Sequence, residues 1–297
     1  RAGFPVIDGD VRVLPKTKFW THRVLSRELR RDPPDVYFSP VPQLPWRCPC
    51  PSLVSVLDLA VWRYPETFTW RKRWAMKLKT QHAFKHGSHF VAVSASTAQD
   101  LTRFVGMDRA RMAVIRLGAP SAEPTDRCRP EGLPDRYLLY VGQIQPRKNL
   151  VRLVEAFGEL CRRVPELPHH LVLAGRDGWQ AASIHRAIDA SPVAPRIHRL
   201  GYVPEPEMHG LIEGADALAL VSLWEGFGLP ALEAMAMGTA VLASDTSSLP
   251  EVVGDCGVLV DPEDWDAIAE GLRLLTTDDA FREACEAKGR ERGQEFQ

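Results

Sequence analysis

One stretch, EGFGLPALEAM at residues 225–235, decides the fold of this 297-residue chain. It follows DALALVS at residues 216–222, a short apolar run that predicts a buried strand. Residues 231–237 are rich in helix formers, and Gly238 supplies a stop. The order is therefore strand, glycine loop and helix, which is typical of the βα units of parallel sheets.

The glycine loop predicts a phosphate site. Pro230, expected at the first helical position, has no amide to leave unpaired, and its fixed φ suits the turn. The free amides of Phe227, Gly228 and Leu229 would point out of the helix start, at the positive end of its dipole.

Two carboxylates, Glu225 and Glu233, bracket this loop and suit the hydroxyls of a sugar or ribose. Phe227, Leu229 and Leu232 are expected to anchor the turn while the two acids remain free to point outward. A Gly-x-Gly turn alone is common, and nearby glutamates are usually solvated. Phosphate and polyol chemistry in one loop together indicate a nucleotide sugar.

The stretch resembles the E-x7-E motif of the family 4 retaining glycosyltransferases, which have the GT-B fold. The resemblance implies an α/β protein whose two Rossmann-like domains carry parallel sheets that face a central cleft. It extends over nearly the whole chain, through LDL at 57–59, YPE at 64–66, VSAST at 93–97, YVGQIQPRKN at 140–149, LAG at 173–175, GYV at 201–203 and SSLPEVVG at 247–254.

The resemblance assigns roles to individual residues. Glu225 is expected to bind hydroxyls of the donor sugar, and Glu233 those of the ribose. Arg147 and Lys148 are expected to neutralise the leaving diphosphate, Arg147 through a bidentate fork and Lys148 as a point charge. The other predicted donor-binding residues are Gly142, Gln143, Val203, Gly226, Phe227, Gly228 and Leu229, and Gln143 stands where some relatives carry arginine.

On the acceptor side the resemblance selects Leu57, Asp58 and Ser94. Leu57 departs from the family, which usually has a histidine that can bond the sugar or the leaving group. A leucine can do neither, and taken alone it is interpreted as a core strand residue. Because retaining transfer of this kind is thought to proceed mainly through the leaving diphosphate, the departure leaves catalysis possible.

Composition limits the protein class. The chain is 45% hydrophobic, enough for two cores, and its net charge of −1 gives no general attraction for nucleic acid. Its apolar runs fall short of the ~20 residues that span a bilayer. Six scattered cysteines favour reduced thiols in a cytoplasmic protein, and Cys48-Pro49-Cys50 matches neither a zinc knuckle nor a C-x-x-C pair.

Alternating strand and helix patterns predict an N-terminal acceptor-side domain at residues 1–120, a linker at 121–134 and a C-terminal donor domain at 135–297. Both ends resemble internal parts of the family fold, with a strand at residues 11–14 and the start of a crossover helix at 295–297. The other predicted strands are 36–38, 53–56, 90–93, 112–115, 138–141, 171–173, 217–221, 240–243 and 258–260. Predicted helices are 23–30, 69–84, 95–104, 150–161, 181–187, 206–213 and 267–276.

The segment from Trp70 to Lys79, WRKRWAMKLK, combines five cations with two tryptophans, and Trp70, Trp74 and Leu78 share one helical face. This pattern fits either a surface helix whose tryptophans enter the core or a basic helix lying on an anionic membrane at the inner face. His82, His86 and His89 have a spacing that metal ligands could use, but without an accompanying acid a solvated or satisfied role is favoured.

These observations predict a retaining hexosyltransferase that moves a mannose- or glucose-type hexose from a GDP- or UDP-linked donor, without a metal or other cofactor. The acceptor would be a hydroxyl of a saccharide, a lipid-linked sugar or a small molecule. An alternative is a catalytically impaired nucleotide-sugar-binding subunit of a glycosylation complex. A GT-B epimerase lacks identifiable acid and base residues. A glycosidase pair and a dinucleotide oxidoreductase are disfavoured, the second because no G-x-G-x-x-G follows a strand.

Overall fold

The computed structural model describes residues 10–15, 17–119, 128 and 130–296. They form a sheet of four strands and a sheet of six, and every pairing within the named strands is parallel. Parallel strands need crossover connections, and here helices supply most of them. The predicted α/β architecture is confirmed.

The first sheet has the order β1-β2-β3-β4. Its strands are β1 (Tyr37–Ser39), β2 (Ser52–Val56), β3 (His89–Ala92) and β4 (Met112–Val114). The helices of this part are α1 (Ser26–Arg31), α2 (Ala60–Arg63), α3 (Trp70–His86) and α4 (Ala95–Asp100). A π-helical segment, Leu101–Val105, continues α4.

The second sheet has the order β10-β9-β8-β5-β6-β7. Its strands are β5 (Tyr137–Val141), β6 (His170–Ala174), β7 (Ile197–Gly201), β8 (Ala217–Leu220), β9 (Ala240–Ser244) and β10 (Val258–Val260). The helices are α5 (Leu150–Arg163), α6 (Ala181–Asp189), α7 (Glu205–Glu213), α8 (Leu229–Met237), α9 (Leu249–Val253), α10 (Trp265–Thr277) and α11 (Asp279–Gln294).

The central strands of this second sheet are buried, which explains their continuous apolar sequences. Tyr137, Leu138, Leu139 and Tyr140 in β5 are fully buried. Helices α5 and α10 pack together beside the sheet, while α11 packs on α8. Phe157 of α5 belongs to the resulting core. The sheet is therefore a rigid platform for the loops at its edge.

The predicted strands from residue 36 onward match observed strands to within one or two residues at each end. The predicted strand at residues 11–14 is wrong, because these residues form no strand and Val11 and Val13 are exposed. The sequence missed β7, an edge strand in which polar His198 and Arg199 interrupt the apolar pattern. It also missed α2, α9 and the mostly polar α11. Most of the predicted linker, including 121–127, lies outside the described residues, as do residues 1–9 and Gln297.

Two glycines let the loops after β5 and β6 approach each other. Gly142 has φ +150° and Gly175 has φ +151°, and a Cβ on Gly175 would lie 1.8 Å from the Gly142 carbonyl oxygen. The Gly175 amide also donates to the Gly201 carbonyl at 2.7 Å. Only a residue without a side chain fits this contact, because both the space and the dihedral angle exclude Cβ.

We expect Gly175→Ala to lower the free energy of unfolding by more than about 2 kcal/mol, since it adds both strain and a backbone clash. Urea denaturation would measure the change. Gly158→Ala in α5 is the matched control, because its nearest neighbouring atom would be 3.7 Å away. The control should be neutral or stabilising by up to about 1 kcal/mol. Equal stability of Gly175→Ala and the wild type would contradict the clash.

Candidate active site

The predicted site residues come together where the two sheets approach each other. Arg147, Lys148 and Glu225 follow strands β5 and β8 of the second sheet, while Leu57 and Ser94 follow β2 and β3 of the first. Ligands of open α/β sheets bind at the carboxyl ends of strands. The structure thus places these five residues around one cleft.

The loop after β5 and the loop after β8 are joined by a buried ion pair. Lys148 Nζ lies 2.5 Å from Glu225 Oε1, and Ser222 Oγ donates to the same oxygen at 2.7 Å. Arg147 Nη1 lies 3.7 Å from Glu225 Oε2. The prediction that Glu225 points outward unpaired is therefore wrong. A carboxylate this deeply buried has to be paired, because its desolvation cost is otherwise several kcal/mol.

In this cluster, burial and the opposite charge of the partner act in opposing directions on the pKa values of Glu225 and Lys148. Burial acts to raise the pKa of Glu225, but Lys148 and Arg147 outweigh it and lower the pKa from 4.5. Burial is also the largest effect on Lys148 and lowers its pKa, while Glu225 partly opposes the change. With two cations against one carboxylate, the cluster keeps an excess positive charge that suits an anionic group.

Asn149 holds the cationic turn in place, a role the sequence did not predict. It adopts the left-handed conformation with φ +61°. Its Nδ2 donates to the carbonyls of Val221 at 3.0 Å and Pro262 at 2.7 Å. The Leu223 amide donates to the Arg147 carbonyl at 2.9 Å. The sequence offered one signal for this role, because an asparagine, a residue type that tolerates positive φ, directly follows the two cations.

The glycine loop presents unpaired amides. Helix α8 begins at Leu229, so Pro230 occupies the second helical position instead of the first. The amides of Phe227, Gly228 and Leu229 donate to no described residue of the chain. Gly228 needs its lack of a side chain, since φ is +104° and a Cβ would meet Leu249 Cδ2 at 2.6 Å. The loop matches the predicted phosphate-type turn.

The expected hydrophobic anchors of this loop are partly confirmed. Phe227 is buried, with its ring edge-on to Phe296 at 6.0 Å, and Leu232 is fully buried. Leu229 is 38% exposed, so the prediction that it anchors the turn is wrong. It begins the helix at the surface, where one edge of the residue stays in contact with solvent.

Gly226 is where the two domains meet. A Cβ there would lie 2.1 Å from the Leu57 carbonyl oxygen and 2.9 Å from Asp58 Cβ. Ser94 Oγ donates to the Gly226 carbonyl at 2.7 Å, and Thr97 Oγ1 does so at 3.3 Å. The acceptor-side residues are thereby placed directly against the glycine loop.

Leu57 lies beyond the end of β2, and its side chain is 45% exposed. Its interpretation as a core strand residue is therefore wrong. The neighbouring Asp58 accepts a hydrogen bond from the Ala60 amide at 3.0 Å, and its charge acts to raise the pKa of Lys148 across the domain boundary. Position 57 therefore still borders the cleft, but its leucine side chain offers no polar group there.

Glu233 differs from Glu225 in having no partner. It is half-buried, and no hydrogen bond or ion pair joins it to any described residue. Burial, and secondarily the charge of Glu205, raises its pKa. Val203 is buried, while Gln143 is exposed beside the loop. A half-buried acceptor that lacks a donor is suited to ligand hydroxyls.

The histidines do not form a metal centre within the described part of the chain, where no three His, Cys, Asp or Glu side chains cluster suitably. The His82 and His86 rings lie 4.6 Å apart on α3, and His89 begins β3 as predicted. The expectation of metal-free chemistry stays a prediction.

Two parallel-sheet domains meeting at a shared cleft, with the site at their strand ends, define the GT-B class. The family model for glycosyl transferases group 1 matches residues 127–292. The chain therefore belongs to this glycosyltransferase family, and the recognition made from the EGFGLPALEAM stretch is confirmed.

Two mannosyltransferases are similar to this chain in sequence, and one solved structure shares its fold. The O-antigen chain mannosyltransferase B of Escherichia coli is 30% identical over 270 residues, which are 88% of this chain and 70% of the relative. The serotype-specific mannosyltransferase WbdA of Escherichia coli is 29% identical over 259 residues, covering 82% of this chain but only 31% of that protein. The crystal structure of HepE from Anabaena with UDP and glucose aligns with a TM-score of 0.68 at 18% identity, over 83% of this chain and 68% of HepE.

We expect Lys148→Met to destabilise the fold by about 3–5 kcal/mol at pH 7, because Glu225 loses its closest partner in a buried site. Ionised Glu225 stabilises the wild type above its ordinary pKa of 4.5, and this contribution is lost as the pH falls through the lowered folded-state value. In the variant, burial favours the protonated acid, so the deficit should narrow toward acid pH.

Urea denaturation of both proteins between neutral and acid pH measures this difference. Lys85→Met, which removes an exposed lysine of α3, is the control and should change stability little at any pH. A deficit that stays constant with pH would show that the charge of Glu225 is not its cause.

Proposed function

We propose that the chain is a retaining glycosyltransferase that moves a mannose- or glucose-type hexose from a nucleoside diphosphate sugar to an acceptor hydroxyl, without a metal. The observation that carries this proposal is that two features occur together: amides at residues 227–229 that donate to no described residue, and the buried cluster of Arg147, Lys148 and Glu225. The mannosyltransferase relatives support a hexose donor, and the UDP and glucose bound to HepE support the donor class.

The chemistry follows from where charge develops. As the bond between the anomeric carbon and the diphosphate breaks, negative charge grows on the leaving group. Arg147, Lys148 and the loop amides would stabilise that charge, a preorganised effect that often dominates catalysis. The acceptor oxygen would bond to the anomeric carbon on the same face, and its proton would pass to a diphosphate oxygen.

The two glutamates would divide the donor between them. Glu233, half-buried and without a partner among the described residues, would accept hydrogen bonds from the ribose hydroxyls. Glu225 would orient the sugar while remaining paired with Lys148, so that the cation is held in place before the donor arrives. Such preorganisation avoids reorganisation during the reaction.

A second candidate is a nucleotide-sugar-binding subunit with impaired catalysis, favoured by Leu57. Its side chain is exposed beside the glycine loop and cannot hydrogen-bond to the sugar or to the leaving group. Any remaining transfer would then depend on the Arg147–Lys148–Glu225 cluster alone.

Calorimetric titration of the full-length protein with UDP and GDP, followed by donor-hydrolysis and transfer assays, tests the proposal. Glu233→Ala should weaken nucleotide binding about tenfold or more, because it removes hydrogen bonds to a charged group. Glu291→Ala, an exposed glutamate of α11, is the control and should leave affinity unchanged.

The outcomes separate the two candidates. Failure to bind either nucleotide would contradict both. Binding without turnover of any donor would favour the impaired subunit. Unchanged affinity in Glu233→Ala would refute its assignment to the ribose.

We further propose that helix α3 contacts an anionic membrane surface. Trp70, Trp74 and Leu78 are 66%, 59% and 61% exposed, so the interpretation that the tryptophans enter the core is wrong. Six lysines and arginines and no acidic residue occupy α3. Leu78 also lines a 600 Å³ cavity with the exposed Phe19 and Trp46. Among the described residues, no helix combines the length and the hydrophobicity that spanning a bilayer requires.

The double variant Trp70→Ser, Trp74→Ser should bind vesicles of phosphatidylcholine and phosphatidylserine at least about tenfold more weakly than wild type. The reason is that each indole would bury apolar area in the membrane on binding. Cosedimentation measures the binding, which should also weaken with added salt. Trp265→Ser, a partly exposed tryptophan of the second domain, is the control. Absence of wild-type binding would refute the membrane contact.

A further inference from the structure

Glu251 of α9 reaches across the domain boundary to the start of α4. Its Oε2 accepts a hydrogen bond from the Ala95 amide at 3.0 Å, and its Oε1 accepts one from the Ser96 amide at 3.1 Å. The third amide of the turn, that of Thr97, is capped by Ser94 Oγ at 3.0 Å. The first amides of a helix have no partner inside it, so the other domain here satisfies two of them.

This contact closes a ring of hydrogen bonds around Gly226. Ser94, at the start of the same turn, donates to the Gly226 carbonyl. On the other side, Ser248 Oγ donates to the carbonyls of Glu225 at 3.1 Å and Phe227 at 2.8 Å. Ser248 directly precedes α9, the helix that carries Glu251. The start of α4 is therefore tied to the glycine loop directly through Ser94 and indirectly through Glu251 and Ser248.

Helix α11 holds the backbone of α9, the helix that carries Glu251. Arg292 Nη2 donates to the Glu251 carbonyl at 2.9 Å, and Arg292 Nε donates to the Val252 carbonyl at 3.3 Å. The backbone of α9 is thus braced within the second domain. The Glu251 side chain is the part that crosses the domain boundary.

We propose that Glu251 is a positioning residue that holds the two domains in register at Gly226. It keeps the Leu57–Asp58 backbone against the glycine loop, where a Cβ on Gly226 would already clash. Its effect on transfer rests on the proposed glycosyltransferase function. A misplacement of about 1 Å between reacting groups costs on the order of 100-fold in rate, so the register of the domains controls turnover.

Hydrogen exchange of the nucleotide-free full-length chain tests the contact directly. In Glu251→Ala, the amides of Ala95 and Ser96 should exchange at least about tenfold faster than in the wild type, because each loses a charge-assisted hydrogen bond. Glu251→Gln keeps the side chain's size and one acceptor oxygen, so it should show a smaller increase. Glu263→Ala, which removes an exposed glutamate of the second domain, is the control and should change neither amide.

Kinetics separates positioning from donor binding. For Glu251→Ala, kcat of transfer should fall about tenfold or more while the affinity for UDP or GDP stays within about twofold, with partial recovery in Glu251→Gln. Unchanged exchange at Ala95 and Ser96 would overturn the proposal. So would wild-type kcat in Glu251→Ala. If the wild type transfers no sugar, the exchange experiment still decides the interdomain role, while only the proposed function fails.

Discussion

The site depends on the buried ion pair between Lys148 and Glu225. Two charges removed from water cost several kcal/mol each, which is recovered only with close geometry and additional hydrogen bonds. Ser222 and Arg147 supply those additional contacts. The pair therefore fixes the loop after β5 against the loop after β8, and it sets where positive charge is available in the cleft.

Glycine provides the second constraint, because the backbone segments around the pair approach too closely for side chains. Gly175 lies against Gly142 where the loops after β5 and β6 leave the second sheet, and Gly226 lies against Leu57 across the domain boundary. The first contact shapes the loops after β5 and β6, while the second sets how closely the two domains approach at the glycine loop. Charge and backbone geometry are thus arranged by different residues in the same small volume.

The cleft is asymmetric in its chemistry. The side formed by the second sheet combines cations, amides that donate to no described residue, and the Glu233 carboxylate, which has no partner in the described part of the chain. The opposite side contributes Leu57, Asp58 and the Ser94 hydroxyl, which is already used in the contact with Gly226. Under the proposed function, the second domain would hold the donor and stabilise its leaving diphosphate, and the first domain would position the acceptor.

Much of the fold could be predicted from local pattern. Apolar runs located the buried strands, since central parallel strands are apolar on both faces. Edge strand β7 and helices α9 and α11 escaped, because their polar residues or short length leave little periodicity. The motifs identified the candidate site residues, but they did not predict which of these residues are buried. Leu57 was interpreted as a core residue and is exposed, and of the two interpretations of the α3 tryptophans the one that buries them is wrong.

The sequence by itself determined which loops carry glycines, cations and carboxylates, and to which family they belong. Only the tertiary structure decided which of the charges pair. Lys148 and Glu225 are 77 residues apart and Glu251 is 156 residues from Ala95, so no local pattern reveals their contacts. Nor does residue type show that Glu225 is paired while Glu233 has no partner among the described residues. The strength of a charge depends on its burial and neighbours, which exist only once the chain is folded.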